Sequence, residues 1–247
     1  MKTTSKSDER HLSLEPITIP KASDILAAQL RDLILSGSVA QGKPLPTERE
    51  LVAESGLSRS SVREALRVLE VEGLISTRPG RAGGSTVRLP GRASITRTMQ
   101  LFVRSHAIRL EALLECRIAV EPFMAGLTAT NRTEQELKEM QDLHERFTAA
   151  RDDVALYKRI NLDWHLAIAR ASRNEVLIAL MEAVAQPIYE AAAYQRVTTE
   201  DARAETVKAH GAILRAIERK DAKLAYSRME KHLSAYADLA RKAEPAG

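Results

Sequence analysis

Three histidines and one asparagine in the C-terminal half of the chain have the types and spacing of a metal site. His210 and His232 lie at equal distances from a predicted turn at Lys220–Asp221. Residues equidistant from the connection of an antiparallel helical hairpin lie side by side, so these imidazoles are expected to face one space. His165 and, one turn before it, Asn161 share a face of another predicted helix. Three nitrogens and one oxygen suit Zn²⁺, and also Ni²⁺ or another divalent transition ion.

The same residues have two other interpretations. A lone histidine on an apolar helix face is usually a hydrogen-bonded core residue, which leaves a purely structural role open. Three histidines with a bound water also suit a catalytic zinc ion, so a zinc hydrolase is a further hypothesis. Such an enzyme needs a general base near the metal-bound water, and the sequence has no HExxH pair to supply it. We therefore expect a protein that is not an enzyme.

Arg117 is the candidate for recognising an anionic ligand beside these residues. A metal with three protein nitrogens and open positions is a suitable receptor for a small carboxylate, and a guanidinium can hold a second oxygen. A salt bridge to Glu121, four residues further along the helix, is the alternative interpretation of Arg117. Trp164 is expected in the core, pointing away from His165. Other residues are assigned to the core (Met124, Met140, Met181) or to the surface and boundary (Asp163, His106, His144).

A second set of chemistry-bearing residues, rich in arginine, lies in the N-terminal third of the chain. Arg59, Arg63 and Arg67 recur every four residues and therefore share one face of a predicted helix, whose apolar residues face inward. Between Leu57 and Arg92 seven arginines accompany three glutamates, a surplus equal to the net charge of +4 of the whole chain. A local basic surplus beside a neutral remainder is typical of a module that binds a polyanion.

These arginines belong to a predicted order of helix, short helix, tight turn, helix and β-hairpin, which is a winged helix-turn-helix. Apolar spacing predicts the first helix over Lys21–Ser36, with Ser23 as its N-cap. Thr47 and Glu50 form a capping box that opens the second helix, and Ser58 caps the third. The glycine-rich segment PGRAGG joins two β-prone runs, LISTR and STVRL, into the hairpin.

This motif assigns the candidate DNA contacts. A helix with hydroxyls at its N-terminal tip and arginines along one side fits a major groove, where it can contact phosphates and pair bidentately with guanine. Glycines at the hairpin tip allow close approach to the minor groove. The candidate DNA-binding residues are Arg49, Ser58, Arg59, Ser60, Arg63, Arg81 and Gly83. A winged helix used for protein contacts, with arginines paired to Glu64 or Glu70, is the alternative.

The sequence after Pro90 predicts an all-helical bundle. Alanine and leucine dominate, and helix breaks are predicted near Asn131, Asp152, Arg173–Asn174, Thr198–Thr199 and Lys220–Asp221. The expected fold class is mainly α, with residues 1–19 as a flexible arm, 20–90 as the winged helix-turn-helix domain and 91–247 as an all-α effector-binding and dimerisation domain. The 247 residues include one cysteine and no apolar run long enough to cross a bilayer, which favours a cytoplasmic protein.

The segment PTERELVAESGLSRSSVREALRVLEVEGLISTRPGRAGGSTV resembles the DNA-binding domain of the GntR family of bacterial transcription regulators, with a match over residues 21–90. This resemblance implies operator binding through Arg49, Arg59, Arg63 and Gly83. It also implies a homodimer on a palindromic operator. Induction by release of DNA is the commoner mode in the family, so a repressor is expected.

The segments LLECRIAVEP and WHLAIARASRN, with the two later histidines, resemble the FCD ligand-binding domain of the FadR-type branch of that family, over about residues 95–240. The resemblance implies a divalent metal held by His165, His210 and His232. The effector that we expect at the open positions of this metal is a small organic acid. Asn161 stands where an aspartate is commoner in the family. Because an amide oxygen is a weaker, uncharged ligand, we expect either a loosely held metal or one whose charge an anionic effector completes.

Coupling between effector and operator is expected to pass through residues 89–100, which join the hairpin to the bundle. A bundle that holds an acyl-CoA or another larger ligand, without a metal, is the alternative within the same class of regulator.

Overall fold

The computed structural model describes residues 19–78, 80, 83–190 and 198–243. The chain divides after Pro90 into two compact units. Helices dominate this described part, and its strands form one two-stranded sheet, so the mainly α prediction is confirmed. Every helix in these ranges is too short or too polar to span a lipid bilayer.

The described part of the first unit consists of three helices followed by a β-hairpin. Its helices are α1 (Ala22–Leu35), α2 (Glu48–Ser55) and α3 (Arg59–Val71). Strands β1 (Ile75–Arg78) and β2 (Gly84–Val87) pair antiparallel. A bridge between Pro44 and Thr86 ties the segment before α2 to the hairpin. The predicted order of elements, a winged helix-turn-helix, is therefore confirmed.

Side-chain caps determine where α2 and α3 begin. Glu50 N donates to Thr47 Oγ1 at 3.3 Å, and Thr47 N donates to the Glu50 carboxylate at 2.7 Å. Ser61 N donates to Ser58 Oγ at 3.2 Å, which caps α3. Gly56 ends α2 with a φ of 68°, a left-handed conformation that costs other residues about 1–2 kcal/mol. The predicted capping box, the Ser58 cap and the glycine turn are confirmed.

The predicted cap of α1 is wrong. Asp24 N donates to Lys21 O at 2.9 Å, so the helix begins at Ala22 and Lys21 holds the N-cap position without a side-chain bond. Ser23 lies inside the first turn, where it is buried. The carboxylate of Asp24 in the same turn interacts favourably with the positive end of the helix dipole.

Replacing Thr47 with alanine is expected to lower the stability of α2 by about 1 kcal/mol, because the amide of Glu50 loses its acceptor. Thr47→Ser keeps the oxygen and should retain most of that stability. Hydrogen exchange of the α2 amides in the full-length protein measures the change. Thr133→Ala removes a matching capping box from the second unit and is the control. Unchanged protection of α2 in Thr47→Ala would contradict the assignment.

The second unit contains seven helices within the described residues. They are α4 (Arg92–Ser105), α5 (Leu110–Asn131), α6 (Glu134–Ala149), α7 (Val154–Ala171), α8 (Glu175–Glu190), α9 (Glu200–Glu218) and α10 (Ala222–Ala243). Helix α5 packs against α7, α8, α9 and α10 and so lies at the centre of the bundle. The helix ends agree with the predicted breaks, and the expected core methionines are buried (Met124, Met140, Met181).

A break that the sequence pattern does not predict separates α4 from α5. Ala107 adopts a left-handed φ of 46°, and Ile108 N donates to Val103 O at 3.0 Å. The segment between the helices contains neither glycine nor proline, the residues that most often signal a helix end. This break therefore has no local signal in the sequence.

Candidate metal centre and nucleic-acid interface

Three helices bring the predicted imidazoles together. His165 lies on α7, His210 on α9 and His232 on α10, and one ring nitrogen of each lies within 4.8 Å of the others. His210 Nε2 and His232 Nε2 are 3.2 Å apart. Two nitrogens bound to a tetrahedral zinc at about 2.0–2.1 Å would be about 3.3–3.4 Å apart, so this spacing suits a shared ion. Helices α9 and α10 pack as a hairpin, which brings the two equidistant histidines together.

A buried carboxylate orients His165. His165 Nδ1 donates to Glu121 Oε2 at 2.6 Å. The opposite ring nitrogen, Nε2, is buried and has no hydrogen-bond partner among the described residues, so its lone pair is available to a metal. Arg117 donates to the same carboxylate through Nε and through Nη2, the latter at 3.2 Å. Hydrogen bonding of a ligand histidine to a carboxylate fixes its tautomer and raises its basicity.

Burial and neighbouring charges set the protonation states of this cluster. Desolvation lowers the pKa values of His165 and His210. Desolvation, His165 and Arg117 lower the pKa of His232 to about 3. Burial alone would raise the pKa of Glu121, but Arg117 and His165 lower it below its ordinary value. Neutral imidazoles and an ionised carboxylate are the forms that a metal site requires, and an ionised Glu121 places the ring proton of His165 on Nδ1.

His165 and His232 border a small cavity whose described lining includes no carboxylate. Asn161 lies in this lining one turn before His165, as predicted from their spacing. The charged residues of the lining are Arg117 and Arg203. Arg203 Nη1 donates to Thr198 O at 2.9 Å, while its buried Nε has no hydrogen-bond partner among the described residues. The lining therefore favours an anionic ligand.

The structure contains the salt bridge predicted for Arg117, and its role in binding an effector stays a prediction. Its guanidinium forms the predicted salt bridge to Glu121, and the same residue lines the cavity beside His165. From the sequence, Glu121 is predicted only as a salt-bridge partner of Arg117, and its contact with His165 is not predicted. Its spacing from Arg117 is visible in the sequence, but its contact with α7 depends on how α5 and α7 pack.

Trp164 is buried in the core as predicted, but it does not point away from the imidazoles. Its ring packs flat against His210, with ring centroids 3.9 Å apart and an interplanar angle of 11°. Phe147 also stacks on His210, with centroids 4.8 Å apart. The aromatic contacts fix the plane of the His210 ring.

The remaining polar candidates lie outside the cluster. Asp163 is partly exposed and lies 3.9 Å from the Nε of Arg159 on the same helix, which agrees with a surface role. His106 is exposed at the end of α4. His144 is half-buried on α6 and is not among the three clustered histidines.

The described DNA-binding candidates are exposed on the first unit. Arg49, Ser58, Arg59, Ser60, Arg63 and Gly83 are all exposed, whereas Arg81 lies outside the described residues. The opposite face of α3 is buried through Val62, Leu66 and Leu69. The hydroxyl of Ser58 caps α3 and lies 2.8 Å from Ser60 Oγ. Helix α3 therefore presents its N-terminal hydroxyls and arginines to solvent and its apolar residues to the core.

One of the exposed arginines of α3, Arg63, forms an ion pair with a glutamate. Arg63 Nε donates to Glu48 Oε2 at 3.0 Å, with 73% of the Arg63 side chain exposed. Such exposed pairs contribute about 0–1 kcal/mol, so Arg63 can exchange Glu48 for a phosphate at little cost. The carboxylate of Glu70, one of the predicted alternative partners, instead accepts a hydrogen bond from Thr77 N at 2.9 Å.

Comparisons with known proteins agree with both units. Residues 22–83 match the bacterial regulatory proteins of the gntR family, and residues 112–235 match the FCD domain. The Uxu operon regulator of Haemophilus influenzae is 33% identical over 210 residues, which cover 83% of this chain and 76% of that protein.

Two further proteins are similar to this chain. The Glc operon transcriptional activator of Escherichia coli K12 is 32% identical over 166 residues, so the match spans only 65% of this chain and 65% of that protein. Among solved structures, Streptococcus agalactiae GntR has a TM-score of 0.62 and 23% identity, covering 87% of this chain and 99% of that one. At this identity the structural similarity is evidence for the fold alone.

Proposed function

We propose that a small carboxylate, bound beside a metal ion, controls the DNA binding of this protein. The chain belongs to the GntR family of bacterial regulatory proteins and carries an FCD domain. Two copies of the chain bind a palindromic operator as a homodimer, and effector binding releases the DNA, so the protein acts as a repressor. The observation that supports this most directly is the convergence of three neutral imidazoles beside a cavity with two arginines and no described carboxylate.

The donor set suits Zn²⁺, with Ni²⁺ or another divalent transition ion as a substitute. His165, His210 and His232 would supply three nitrogens, and Asn161 a carbonyl oxygen. The buried Nε2 of His165 fits this role, because a buried polar atom without a partner in the described protein is costly unless another group binds it. When bound, such an ion supplies a Lewis acid that can hold a ligand oxygen. Glu121 holds His165 in the orientation that this role requires.

A small mono- or dicarboxylate is the ligand class that the charges around the site favour. The pocket beside the imidazoles is small, which favours a small organic acid over an acyl-CoA. The buried Nε of Arg203 would donate to a carboxylate oxygen, and Arg117, which also holds Glu121 through Nε and Nη2, is the second proposed contact. An effector shifts the population toward the arrangement that binds it better, and we propose that residues 89–100, which join the units along the chain, carry this coupling.

Helix α3 would be the recognition helix of each winged helix-turn-helix. The exposed Arg59 and Arg63 would contact base edges and phosphates in the major groove. Arg49, Ser58 and Ser60 would bind the phosphate backbone near the N-terminus of α3, where amide groups and the helix dipole attract anions. Gly83, and Arg81 beside it in the sequence, would approach the minor groove.

Thermal unfolding of the full-length protein tests the effector site. Protein purified without a histidine tag is stripped with a chelator, reloaded with Zn²⁺ and mixed with L-lactate or malonate. At about 100 times its dissociation constant, the acid should raise the free energy of unfolding by about 2.7 kcal/mol and the unfolding midpoint by about 5–10 °C. No stoichiometric metal, together with an unchanged midpoint in His232→Ala, would favour a metal-free ligand pocket.

The same preparations test the direction of regulation. Fluorescence anisotropy of a labelled duplex, carrying a palindrome that the protein selects from random sequence, measures operator affinity with and without the acid. Weaker binding in the presence of the acid supports a repressor that is released by its effector. Tighter binding would contradict that mode and indicate a regulator that its effector recruits to DNA.

A further inference from the structure

We propose that the divalent metal and the anionic effector bind interdependently, each raising the affinity of the chain for the other, because the uncharged side chain of Asn161 leaves the charge of the metal unbalanced. This inference rests on the proposed function, since it concerns the same site. It adds that the effector supplies the negative charge that the protein ligands lack.

The described residues supply no spare negative charge at the site. The proposed metal ligands carry no negative charge, because they are three neutral imidazoles and one amide (His165, His210, His232 and Asn161). Glu121, the carboxylate that contacts His165, is already paired with Arg117 through two hydrogen bonds. It therefore offsets the charge of that guanidinium rather than the charge of a metal.

The cavity adds further positive charge beside this donor set. Arg203 lies in the lining, where its guanidinium is hydrogen-bonded to the carbonyl oxygen of Thr198, a neutral group. Its buried Nε has no hydrogen-bond partner among the described residues, which leaves one donor available to a ligand. With a divalent ion in place, the described site would carry more positive charge than the ion itself.

Uncompensated charge in a buried site is costly, because low dielectric strengthens repulsion and burial removes hydration. A carboxylate that binds between the ion and Arg203 would relieve this cost. The metal alone should therefore bind weakly, and the anion should strengthen its binding. Because linkage is reciprocal, the metal must raise the affinity for the anion by the same factor.

Asn161→Asp is the substitution that isolates this cause. It replaces an amide with a carboxylate of nearly the same shape at a position that is only 8% exposed. Without any anion, the variant should bind metal more tightly than the wild type. Adding the anion should then raise its metal affinity by a smaller factor. Asn161→Ala removes the oxygen ligand without adding charge, so it should weaken metal binding while keeping the dependence on the anion.

Titration of the chelator-stripped, full-length protein with Zn²⁺ measures this interdependence. The titration is made with and without saturating malonate, and free Zn²⁺ is buffered so that zinc–malonate association in solution does not contribute. We expect malonate to raise the Zn²⁺ affinity of the wild type at least about fivefold, within the usual range of coupling between sites. In Asn161→Asp we expect a gain below about twofold.

Calorimetric titration of malonate into stripped and Zn²⁺-loaded protein measures how much Zn²⁺ raises the affinity for malonate. This factor should equal the factor by which malonate raises the affinity for Zn²⁺. L-lactate repeats the measurement with a monocarboxylate that also carries a hydroxyl group. The thermal midpoint of each Asn161 variant, measured without ligands, verifies that it is folded.

The outcomes separate this inference from the proposed function. Equal Zn²⁺ affinities with and without the anion, while both ligands bind, would overturn the interdependence and leave the proposed function intact. If the anion raised the Zn²⁺ affinity of Asn161→Asp as much as that of the wild type, the missing charge at position 161 would not be the cause of the interdependence. A wild-type protein that binds no equivalent of Zn²⁺ in any condition, or that binds neither carboxylate when loaded, would overturn the proposed function itself.

Discussion

Replacing His232 with alanine is expected to reduce the affinity for Zn²⁺ by at least about 100-fold. Loss of a residue that only supports a metal ligand typically costs about 10–100-fold, and the loss of a ligand should cost no less. His232 suits this test because it is less buried than His210, and its Nε2 lies 3.2 Å from that of His210. Metal content after gel filtration and competition with a chromogenic chelator measure the change.

His106→Ala is the matched control for this substitution. His106 is exposed, and its Nδ1 lies 3.1 Å from Phe102 O at the end of α4, outside the three clustered histidines. It should therefore leave both the metal content and the Zn²⁺ affinity unchanged. If His232→Ala retained one equivalent of tightly bound metal, or if both variants lost it equally, the three-histidine site would be wrong.

Replacing Arg59 with alanine is expected to weaken binding to the selected operator by about 5–150-fold, which corresponds to about 1–3 kcal/mol for a bidentate contact with guanine. Arg59 is the first residue of α3 and is exposed, whereas Arg63 is engaged by Glu48. Fluorescence anisotropy with the selected duplex and with a scrambled duplex measures specific and non-specific affinity separately.

Two further substitutions make this test specific. Arg59→Lys keeps the charge but lacks the planar fork of the guanidinium, so it should retain non-specific binding and lose preference for the selected operator. Arg151→Ala removes a partly exposed positive charge from the second unit and should leave both affinities close to those of the wild type. Wild-type operator affinity in Arg59→Ala would exclude a base contact for that residue.

The helix starts and ends of α2 and α3 could be predicted from the sequence because residues close to them decide where they lie. The capping box at Thr47, the cap at Ser58 and the left-handed Gly56 are decided by hydrogen bonds and sterics within a few residues. The Ser23 cap failed because the helix begins two residues before the predicted start, at Ala22, so Ser23 lies inside its first turn. Burial of Ser23 in the first turn is a tertiary effect that periodicity does not contain.

The candidate site is predictable only where its geometry follows from simple symmetry. His210 and His232 meet because they are equidistant from one turn, and Asn161 accompanies His165 because they are one turn apart. The contact of Glu121 with His165 joins positions 44 residues apart on two packed helices. No spacing rule predicts such a pair, and the same is true of the stack between Trp164 and His210.

That stack has a practical consequence. Trp164 is the only tryptophan of the chain, and its ring lies flat against a proposed metal ligand. The tryptophan emission of the protein therefore originates from one indole, which touches the ring of His210. A titration followed by this emission would report events at the imidazole cluster optically, without attaching a dye.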